Sequence, residues 1–287
     1  MRVTVLGCGA STGVPTIGPN WGRCDPTDPR NRRRRVSALV EVGNISILID
    51  TSPDLREQLI DARVSRLDAV IITHAHADHL HGIDDLRTVN RLMHQAIPLY
   101  ADVKTLAEIG RRFDYVLRPV EEPGRFYKPT LVPHEITGPF EIAGVPVVPF
   151  AQDHGFSTTL GLRIDGFAYS TDVTELDESA FAALAGIELW IVDCLRREPH
   201  PTHSHLAKTL SWIARIKPQR AVLTHMDQSL DYQELSAELP DGVEPGRDGL
   251  VIELLDPQIR RPDLAPSPSS KGLSRSASGR QRAPELR

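Results

Sequence analysis

The stretch THAHADHLHGIDDL, residues 73–86, places four histidines and three aspartates directly behind an apolar run, LDAVIIT (67–73). An apolar run of this length predicts a buried strand. Imidazole nitrogens and carboxylate oxygens are common ligands of divalent metal ions. Because His74 and His76 are separated by a single residue, a turn at the strand end lets both rings converge on one ion. The stretch therefore predicts a metal site at the end of a strand.

The same stretch offers ligands for a second ion. Asp78 and His79 come where the chain must turn toward a helix that begins near Leu80, close to the first pair. The small residues Ala75 and Ala77 separate the ligands and leave room for tight backbone geometry. A histidine-rich surface loop is the alternative interpretation, but this order of ligand types behind a continuous apolar strand favours metal binding.

Length and composition indicate a globular protein with a sizeable core. The chain has 287 residues, of which 40% are hydrophobic and 25% charged, as is ordinary for one large α/β domain. Its net charge is −5; the segment from Asp256 onward has seven Lys and Arg against three Asp and Glu, or +4, so residues 1–255 carry −9. An acidic body argues against sequence-independent nucleic-acid binding, but not against a small phosphorylated substrate.

The opening segment and the cysteines bear on the compartment in which the protein works. No apolar stretch is long enough to cross a membrane, and MRVTVLGCGAS (1–11) lacks the length and cleavage pattern of a signal peptide. Cys8, Cys24 and Cys194 are far apart and odd in number, so a disulfide framework is not expected. We therefore expect a cytoplasmic protein in a reducing environment.

Apolar runs alternate with helical patterns, which predicts one layered α/β domain over residues 1–256. Residues 257–287 are rich in Pro, Ser, Gly and Arg without an apolar period and are predicted to be a disordered basic tail. Strands are predicted at 2–7, 36–42, 45–50, 67–73, 159–165, 167–172, 188–193 and 220–225. Helices are predicted at 53–63, 82–95, 103–113, 178–186 and 205–216. The stretch 115–139, with five prolines, is interpreted as a long surface excursion.

The metal motif resembles that of a known family. The spacing His-x-His-x-Asp-His, from His74 to His79, resembles the signature of the metallo-β-lactamase superfamily. Three further residues match the downstream ligands of that pattern in order. Asp172 and His225 end predicted strands, and His154 follows the apolar run VPVVPF (145–150). The resemblance covers about residues 1–255 and implies a four-layer αββα sandwich.

The resemblance also implies two divalent metal ions, zinc or manganese, since His and Asp ligands accept several metals. The implied ligands are His74, His76 and His154 for one ion and Asp78, His79 and His225 for the other, with Asp172 bridging both. Asp50, which ends ISILID (45–50), would support the ligand loop from behind. In such a hydrolase a hydroxide that bridges the metals attacks the substrate, so Asp78 and Asp172 count as catalytic as well as metal-binding.

Three further segments bear on the substrate. The glycine-rich LGCGASTGVP (6–15) is not followed by an amphipathic helix, so we interpret it as a tight turn under the metal site rather than a phosphate cradle. Most arginines of RNRRRR (30–35) are expected to be solvated, but Arg35 is a candidate for binding a substrate phosphate. The segment HPTHSH (200–205) places His200, His203 and His205 ahead of a predicted helix, and a histidine there near the metals could act as a general acid.

These segments resemble those of the phosphoribosyl cyclic phosphodiesterase group within the superfamily. The resemblance implies a phosphodiesterase that acts on a small, cyclic phosphate ester. It also implies that His203 acts beside the metals, with His205 as the second choice and as a candidate for binding the substrate phosphate. Asp78 and His79, with no cysteine in the metal motif, suit phosphoryl oxygen. Members of the group often carry a cysteine cluster that holds a structural zinc, whereas only Cys24 lies in the corresponding segment here, which puts a third metal site in doubt.

Other functions share this motif and stay open at the level of sequence. They are RNA processing of the tRNase Z type, thioester or lactone hydrolysis, and a non-catalytic accessory role like that of the pyrroloquinoline quinone biosynthesis protein. The acidic body disfavours RNA as a partner. The expected partner is therefore a small phosphorylated substrate, and neither nucleic acid nor a membrane is expected. The resemblance to the group also implies a homodimer.

Overall fold

The structure, a computed structural model, describes residues 1–120 and 126–255. Met1–Leu254 forms one unit with its own core. The tail predicted for 257–287 lies outside the described residues, so the prediction of disorder there stays a prediction. Among the described residues, every helix is too short or too polar to cross a membrane.

One seven-stranded sheet carries the start of the chain and the histidine-rich stretch. In spatial order its strands are β14 (Leu250–Glu253), β1 (Arg2–Gly7), β2 (Ser37–Val42), β3 (Ile45–Ile49), β4 (Ala69–Ile71), β5 (Ile97–Ala101) and β6 (Leu131–Glu135). The pairs from β14 to β3 are antiparallel, and the pairs from β3 to β6 are parallel. The sheet therefore changes from hairpin pairing to crossover pairing at β3.

A second seven-stranded sheet is arranged in the same way. In spatial order its strands are β13 (Val243–Pro245), β12 (Arg220–Thr224), β11 (Leu189–Asp193), β10 (Phe167–Ser170), β9 (Thr158–Ile164), β8 (Val145–Asp153) and β7 (Phe140–Ile142). The pairs from β7 to β10 are antiparallel, and those from β10 to β13 are parallel. Both sheets are therefore mixed.

Alternate residues of the first sheet face two different cores. Ile47 and Ile49 of β3 belong to the core shared with the second sheet, whereas Leu48 between them packs in the core on the helical side. This alternation follows from the two-residue period of a strand. Because both faces are buried, the strand is a nearly continuous apolar run rather than an alternating one.

Helices cover the outer faces of both sheets. The helices are α1 (Leu55–Asp61), α2 (Ala77–Leu80), α3 (Leu86–Met93), α4 (Val103–Arg112), α5 (Asp114–Leu117), α6 (Glu178–Leu184), α7 (Leu206–Ile216) and α8 (Tyr232–Glu238). Leu59 and Ile109, from α1 and α4, pack against the first sheet, while Phe181 and Trp212, from α6 and α7, pack in the core of the second. The predicted α/β four-layer αββα sandwich is confirmed.

The carboxyl ends of the central strands meet at one edge of the molecule. In the first sheet Asp50 follows β3 directly, and His74 comes three residues after β4. In the second sheet Asp172 follows β10, Asp193 ends β11 and His225 follows β12. Because neighbouring parallel strands end at the same edge of a sheet, these five residues come together although they are far apart in the chain.

One sequence interpretation is wrong. The second half of 115–139 is not a surface excursion, because β6 lies there and pairs in parallel with β5. As an edge strand, β6 needs no hydrogen-bond donor on its free side, which is why Pro133 is tolerated within it. Residues 121–125 lie outside the described part of the chain. The sequence interpretation also missed β5 and α8, whose short apolar patterns do not stand out.

Candidate metal centre

Three residues at the strand ends adopt a left-handed backbone conformation. The φ angles of Asp50, Asp172 and His225 are 63°, 52° and 58°. Positive φ is uncommon for residues other than glycine, and for a bulky residue such as histidine it costs free energy. Such residues often mark functional sites, where the surrounding structure holds them in place. The backbone therefore points to this edge of the molecule independently of any side-chain contact.

Four donor atoms converge in a first group. The group consists of His74, His76, His154 and Asp172, whose ligand atoms lie within 4.8 Å of one another. Nε2 of His74 and Nε2 of His154 each lie 3.6 Å from Oδ2 of Asp172. This is the spacing of ligands that share one ion, because donors that lie about 2 Å from a metal are about 3–4 Å from each other.

A second group lies on the other side of Asp172. It consists of Asp78, His79, Asp172 and His225, again within 4.8 Å of one another. Oδ1 of Asp172 is 3.0 Å from Nε2 of His79 and 3.4 Å from Nε2 of His225. Oδ2 of Asp78 lies 3.4 Å and 3.3 Å from the same two nitrogens. Asp172 thus turns one carboxylate oxygen to each group.

The polar atoms of the two groups fit divalent cations. Nε2 of His74 and Nε2 of His79 are buried and lack a hydrogen bond of acceptable geometry, although carboxylate oxygens are close. Buried polar atoms normally have a partner, so the two nitrogens call for one. A cation at the centre of each group would satisfy them, and the donor set of imidazole and carboxylate suits Zn²⁺ and similar ions.

Electrostatics keep the two carboxylates ionised. Burial alone would raise the pKa of Asp172, but the facing rings of His225, His79 and His74 outweigh burial and hold that pKa well below its ordinary value. The pKa of Asp78 is lowered too, since His79 and His225 together outweigh its burial. The centre therefore presents two negative charges in a largely buried position.

The histidines respond to the same charges. Burial alone would lower the pKa of His225, but the neighbouring carboxylates, Asp172 foremost, raise it to about 9. The pKa of His79 is raised for the same reason, whereas burial together with the neighbouring His79 ring lowers the pKa of His74. Protons on His79 and His225 thus balance the carboxylates. Divalent cations bound to the same atoms would displace those protons.

Asp50 supports the ligands from behind. Its carboxylate accepts hydrogen bonds from Nδ1 of His79 at 2.7 Å, from the Thr73 amide at 2.8 Å and from the Thr73 hydroxyl at 2.9 Å. Nδ1 of His74 lies 3.1 Å from the Thr73 hydroxyl oxygen. Similarly, Nδ1 of His154 donates to the Thr202 carbonyl oxygen at 2.6 Å. These contacts place the proton on Nδ1 and leave Nε2 of each ring free to bind a metal.

His203 lies beside the centre without belonging to either group. Its Nε2 is 3.7 Å from Oδ2 of Asp172, and its ring stacks on His225 with centroids 4.5 Å apart. Nδ1 of His203 lies 3.1 Å from Oδ2 of Asp193, which also accepts hydrogen bonds from the backbone amides of Val173 and Ser204. Sequence reasoning missed Asp193, although its position as the polar end of the apolar run ELWIVD (188–193) was a signal.

A cavity of about 340 Å³ opens over the two groups. Its walls include Asp78, Asp172 and His203, and the glycine-rich loop contributes Ser11. The cavity is lined by five of the seven donor residues, whereas His74 and His79 are buried behind it, and His203 lines the same space.

The structure does not bring Arg35 or His205 to this cavity. Neither residue lines it, and Nε of Arg35 pairs with Asp54 at 3.0 Å. His205 instead precedes helix α7 as its N-cap residue. The expectation that most of this run is solvated is wrong for two other arginines, because Arg33 is buried and Arg34 pairs with Asp248. The sequence could not separate these arginines from substrate ligands, since their carboxylate partners are distant in the chain.

Cys24 does not take part in a metal group among the described residues. Its thiol is buried and donates to the Leu230 carbonyl oxygen at 3.4 Å, with a guanidinium nitrogen of Arg33 3.9 Å from the sulfur. Arg33 also donates to the carbonyl oxygens of Asp227 and Leu230. The buried guanidinium thus holds this loop together.

Comparison with known proteins matches the fold and the motif. Residues 46–226 match the family model of the β-lactamase superfamily domain. A solved structure described as a new diphosphatase from the PhnP family superposes with a TM-score of 0.81 at 34% sequence identity, and the match covers 88% of this chain and 98% of that one.

Two curated proteins have different names. An octanoyltransferase of Porphyromonas gingivalis is 35% identical over 272 residues, which are 93% of this chain but 54% of that protein, so the chain spans about half its length. A ribonuclease Z of Bradyrhizobium is 36% identical over 92 residues, or 31% of this chain and 29% of that protein. The names thus cover acyl transfer and RNA cleavage as well as diphosphate cleavage.

Proposed function

Since the chain belongs to the metallo-β-lactamase superfamily, we propose that it is a hydrolase with a binuclear metal centre that cleaves a small phosphodiester. The observation that carries the proposal is the placement of Asp172, which turns Oδ1 to one donor group and Oδ2 to the other. One carboxylate placed between two sets of histidines suits a pair of cations. A single cation would leave one donor group without a partner.

The metals would be held by His74, His76, His154 and Asp172 on one side and by Asp78, His79, His225 and Asp172 on the other. When bound, two divalent cations neutralise charge on phosphoryl oxygens and lower the pKa of water to near neutrality. Zinc and manganese both suit this donor set, and we propose one of them as the native metal.

His203 would act as the general acid. In the reaction, water adds to phosphorus and releases one proton, the ester P–O bond breaks and the departing oxygen takes a proton from the acid, which the released proton then restores. His203 lines the cavity and supplies that proton through Nε2, while Asp193 on Nδ1 fixes the orientation of the ring. A His–Asp pair of this kind is a common way to hold a catalytic imidazole in one tautomer.

Phosphoryl chemistry is the reaction best supported by the comparisons. The match to the diphosphatase covers 98% of that protein, and its name denotes cleavage at phosphorus. The octanoyltransferase match spans only 54% of that protein, so its name gives weaker support to acyl transfer by this chain. The charge of −9 on residues 1–255 disfavours RNA as a substrate.

The setting of the reaction is part of the proposal. All three cysteines are free and buried in the structure, in keeping with a reducing cytoplasm. We propose a cytoplasmic enzyme that works on a small phosphorylated substrate, without nucleic acid or membrane. A homodimer stays a prediction from the sequence resemblance.

Metal quantification and a hydrolysis assay on one preparation test this function. The protein is expected to contain about two ions per chain and to hydrolyse bis(p-nitrophenyl) phosphate. Asp172→Asn keeps the shape of the side chain but removes its charge, and should abolish activity and reduce the metal content. Asp165→Asn is the matched control, because Asp165 also has positive φ but is exposed in a hairpin turn, so its replacement should change neither quantity.

The same panel separates the rival functions. Cleavage of precursor tRNA in preference to small esters would assign RNA processing, and turnover of thioesters or lactones alone would assign that chemistry. Clearly fewer than two ions per chain, together with no hydrolysis, would leave the accessory role. Wild-type rates in Asp172→Asn would overturn the proposed centre itself.

A further inference from the structure

A second cleft, of about 530 Å³, adjoins the cavity over the metal ligands. His76, Phe156 and Ser157 line both spaces, so these residues form a shared wall. The far side of the second cleft is formed by α4. A ligand whose phosphoryl group reaches the metals can therefore extend past Phe156 into the second cleft.

Phe156 is an exposed aromatic side chain on a backbone turn that is held at this wall. It is 92% exposed, and the turn that carries it is closed by a hydrogen bond of 2.9 Å from the His154 amide to the Ser157 carbonyl. Gly155, with φ of 74°, lies so close to the next loop that a Cβ there would be 2.6 Å from the Pro201 carbonyl oxygen. The backbone of the turn is thus anchored on both sides, and it presents the exposed ring at the shared wall.

The charges around the second cleft balance. Two carboxylates, Asp102 and Glu108, face two cations, Lys104 and Arg112. Asp102 accepts a hydrogen bond from the Thr105 amide, and Glu108 pairs with Arg112, so much of this polarity is already satisfied within the protein. A neutral lining does not favour a second phosphoryl group. It favours an uncharged organic group instead.

We infer that the second cleft receives the organic part of the substrate and that Phe156 stacks on a planar ring there, as a nucleobase provides. The inference rests on the proposed function and narrows it to phosphodiesters that carry such a ring. Exposed aromatic rings in fixed positions bind bases by stacking, which is tolerant of base identity. Phe156 is therefore a specificity residue, which discriminates between substrates without touching the phosphorus.

Kinetics with two cyclic phosphates test the role of Phe156. The probes are adenosine 2′,3′-cyclic phosphate and ribose 2,3-cyclic phosphate, which share the reacting ester but differ in the base. Phe156→Ala should raise KM for the adenosine ester on the order of tenfold, the usual effect of losing one base–aromatic stack, and leave kcat unchanged. KM for the ribose ester should not change. Phe156→Tyr should restore the wild-type values.

Tyr127→Ala is the matched control, since Tyr127 is also an exposed aromatic residue, at 52%, but lines neither space. It should leave both KM values unchanged. An equal rise for both esters in Phe156→Ala would overturn the inference, because the ring would then only shape the turn. Calorimetric binding of adenosine 3′-phosphate, weaker in Phe156→Ala than in wild type, gives a second readout. This binding measurement tests stacking even if the wild-type protein hydrolyses neither ester. Failure to hydrolyse either ester would contradict the proposed function and not the stacking.

Discussion

Asp172 and Asp193 show how single residues divide the work at this centre. Asp172 lies in a left-handed conformation between two groups of histidines and links them through its two oxygens. Asp193 belongs to neither donor group, and its carboxylate lies 3.1 Å from Nδ1 of His203. In the proposed mechanism, Asp172 thus links the two cations, and Asp193 positions His203 as the acid beside them.

Replacing Asp193 should impair proton donation but not metal binding. Asp193→Asn keeps an oxygen for the backbone amides of Val173 and Ser204 but loses the charge that holds Nδ1 of His203. We expect kcat for an alkyl phosphodiester, whose leaving group needs a proton, to fall about 10²–10⁴-fold. Hydrolysis of bis(p-nitrophenyl) phosphate should fall much less, because nitrophenolate departs without one. Metal content should stay at the wild-type value.

The comparison between leaving groups separates positioning from a structural effect. An equal loss with both esters, or a loss of metal, would show that Asp193 only supports the fold. His203→Ala should show the same dependence on the leaving group as Asp193→Asn, since both changes remove the same proton donor.

At the scale of elements, the turn between α2 and α3 fixes the ligand-bearing segment against the first sheet. Gly82 donates its amide hydrogen to the Thr51 carbonyl at 2.9 Å, one residue after Asp50. A Cβ at Gly82 would lie 1.9 Å from the Ser52 carbonyl oxygen and 2.9 Å from Cβ of Leu55. Close approach of two backbones, rather than flexibility, therefore requires glycine here.

Gly82→Ala should destabilise the protein by about 1–3 kcal/mol or more, because the backbone around this residue must move to make room for the methyl group. Gly110→Ala is the matched control: Gly110 lies within α4, and nothing lies within 4 Å of its added Cβ. That change should stabilise the protein by about 0.5–1 kcal/mol. Urea denaturation of both variants measures the difference, and similar midpoints would refute the packing argument.

The elements also show what the sequence could and could not predict. Continuous apolar runs such as LDAVIIT (67–73) predicted buried strands, and the family resemblance indicated which of the polar residues that follow such runs would meet. The sequence could not predict β6, because Pro133 interrupts the pattern of this edge strand. It could not predict the partners of Arg34 and Arg35 either, because the paired carboxylates come from other elements. Local pattern predicts a strand and its end, whereas pairing between distant elements needs the fold.

At the scale of the whole molecule, the metal centre joins the two sheets. The first sheet supplies the ligands after β4, and the second supplies those after β8, β10 and β12. Removing the cations would leave the carboxylates of Asp78 and Asp172 buried beside histidines that must then carry protons. Stability of the sandwich and occupancy of the centre are therefore coupled.

Chelation should lower the melting temperature. Metal at about one hundred times its Kd adds about 2.7 kcal/mol per site, which for a domain of this size corresponds to about 5–10 °C. We expect EDTA-treated, metal-free protein to melt at least that much lower than metal-loaded protein, and added zinc to reverse the change. An unchanged melting temperature after verified removal of the metal would contradict the coupling. Asp172→Asn should respond weakly to the same treatment.

The central claim is that Asp172 lies between two cations. Anomalous scattering from crystals of the metal-loaded protein, recorded at the absorption edge of the bound metal, tests this claim most directly. The account predicts two peaks about 3.5–4 Å apart, one beside each oxygen of Asp172. A single peak, or a pair that leaves Asp172 on one side, would contradict it.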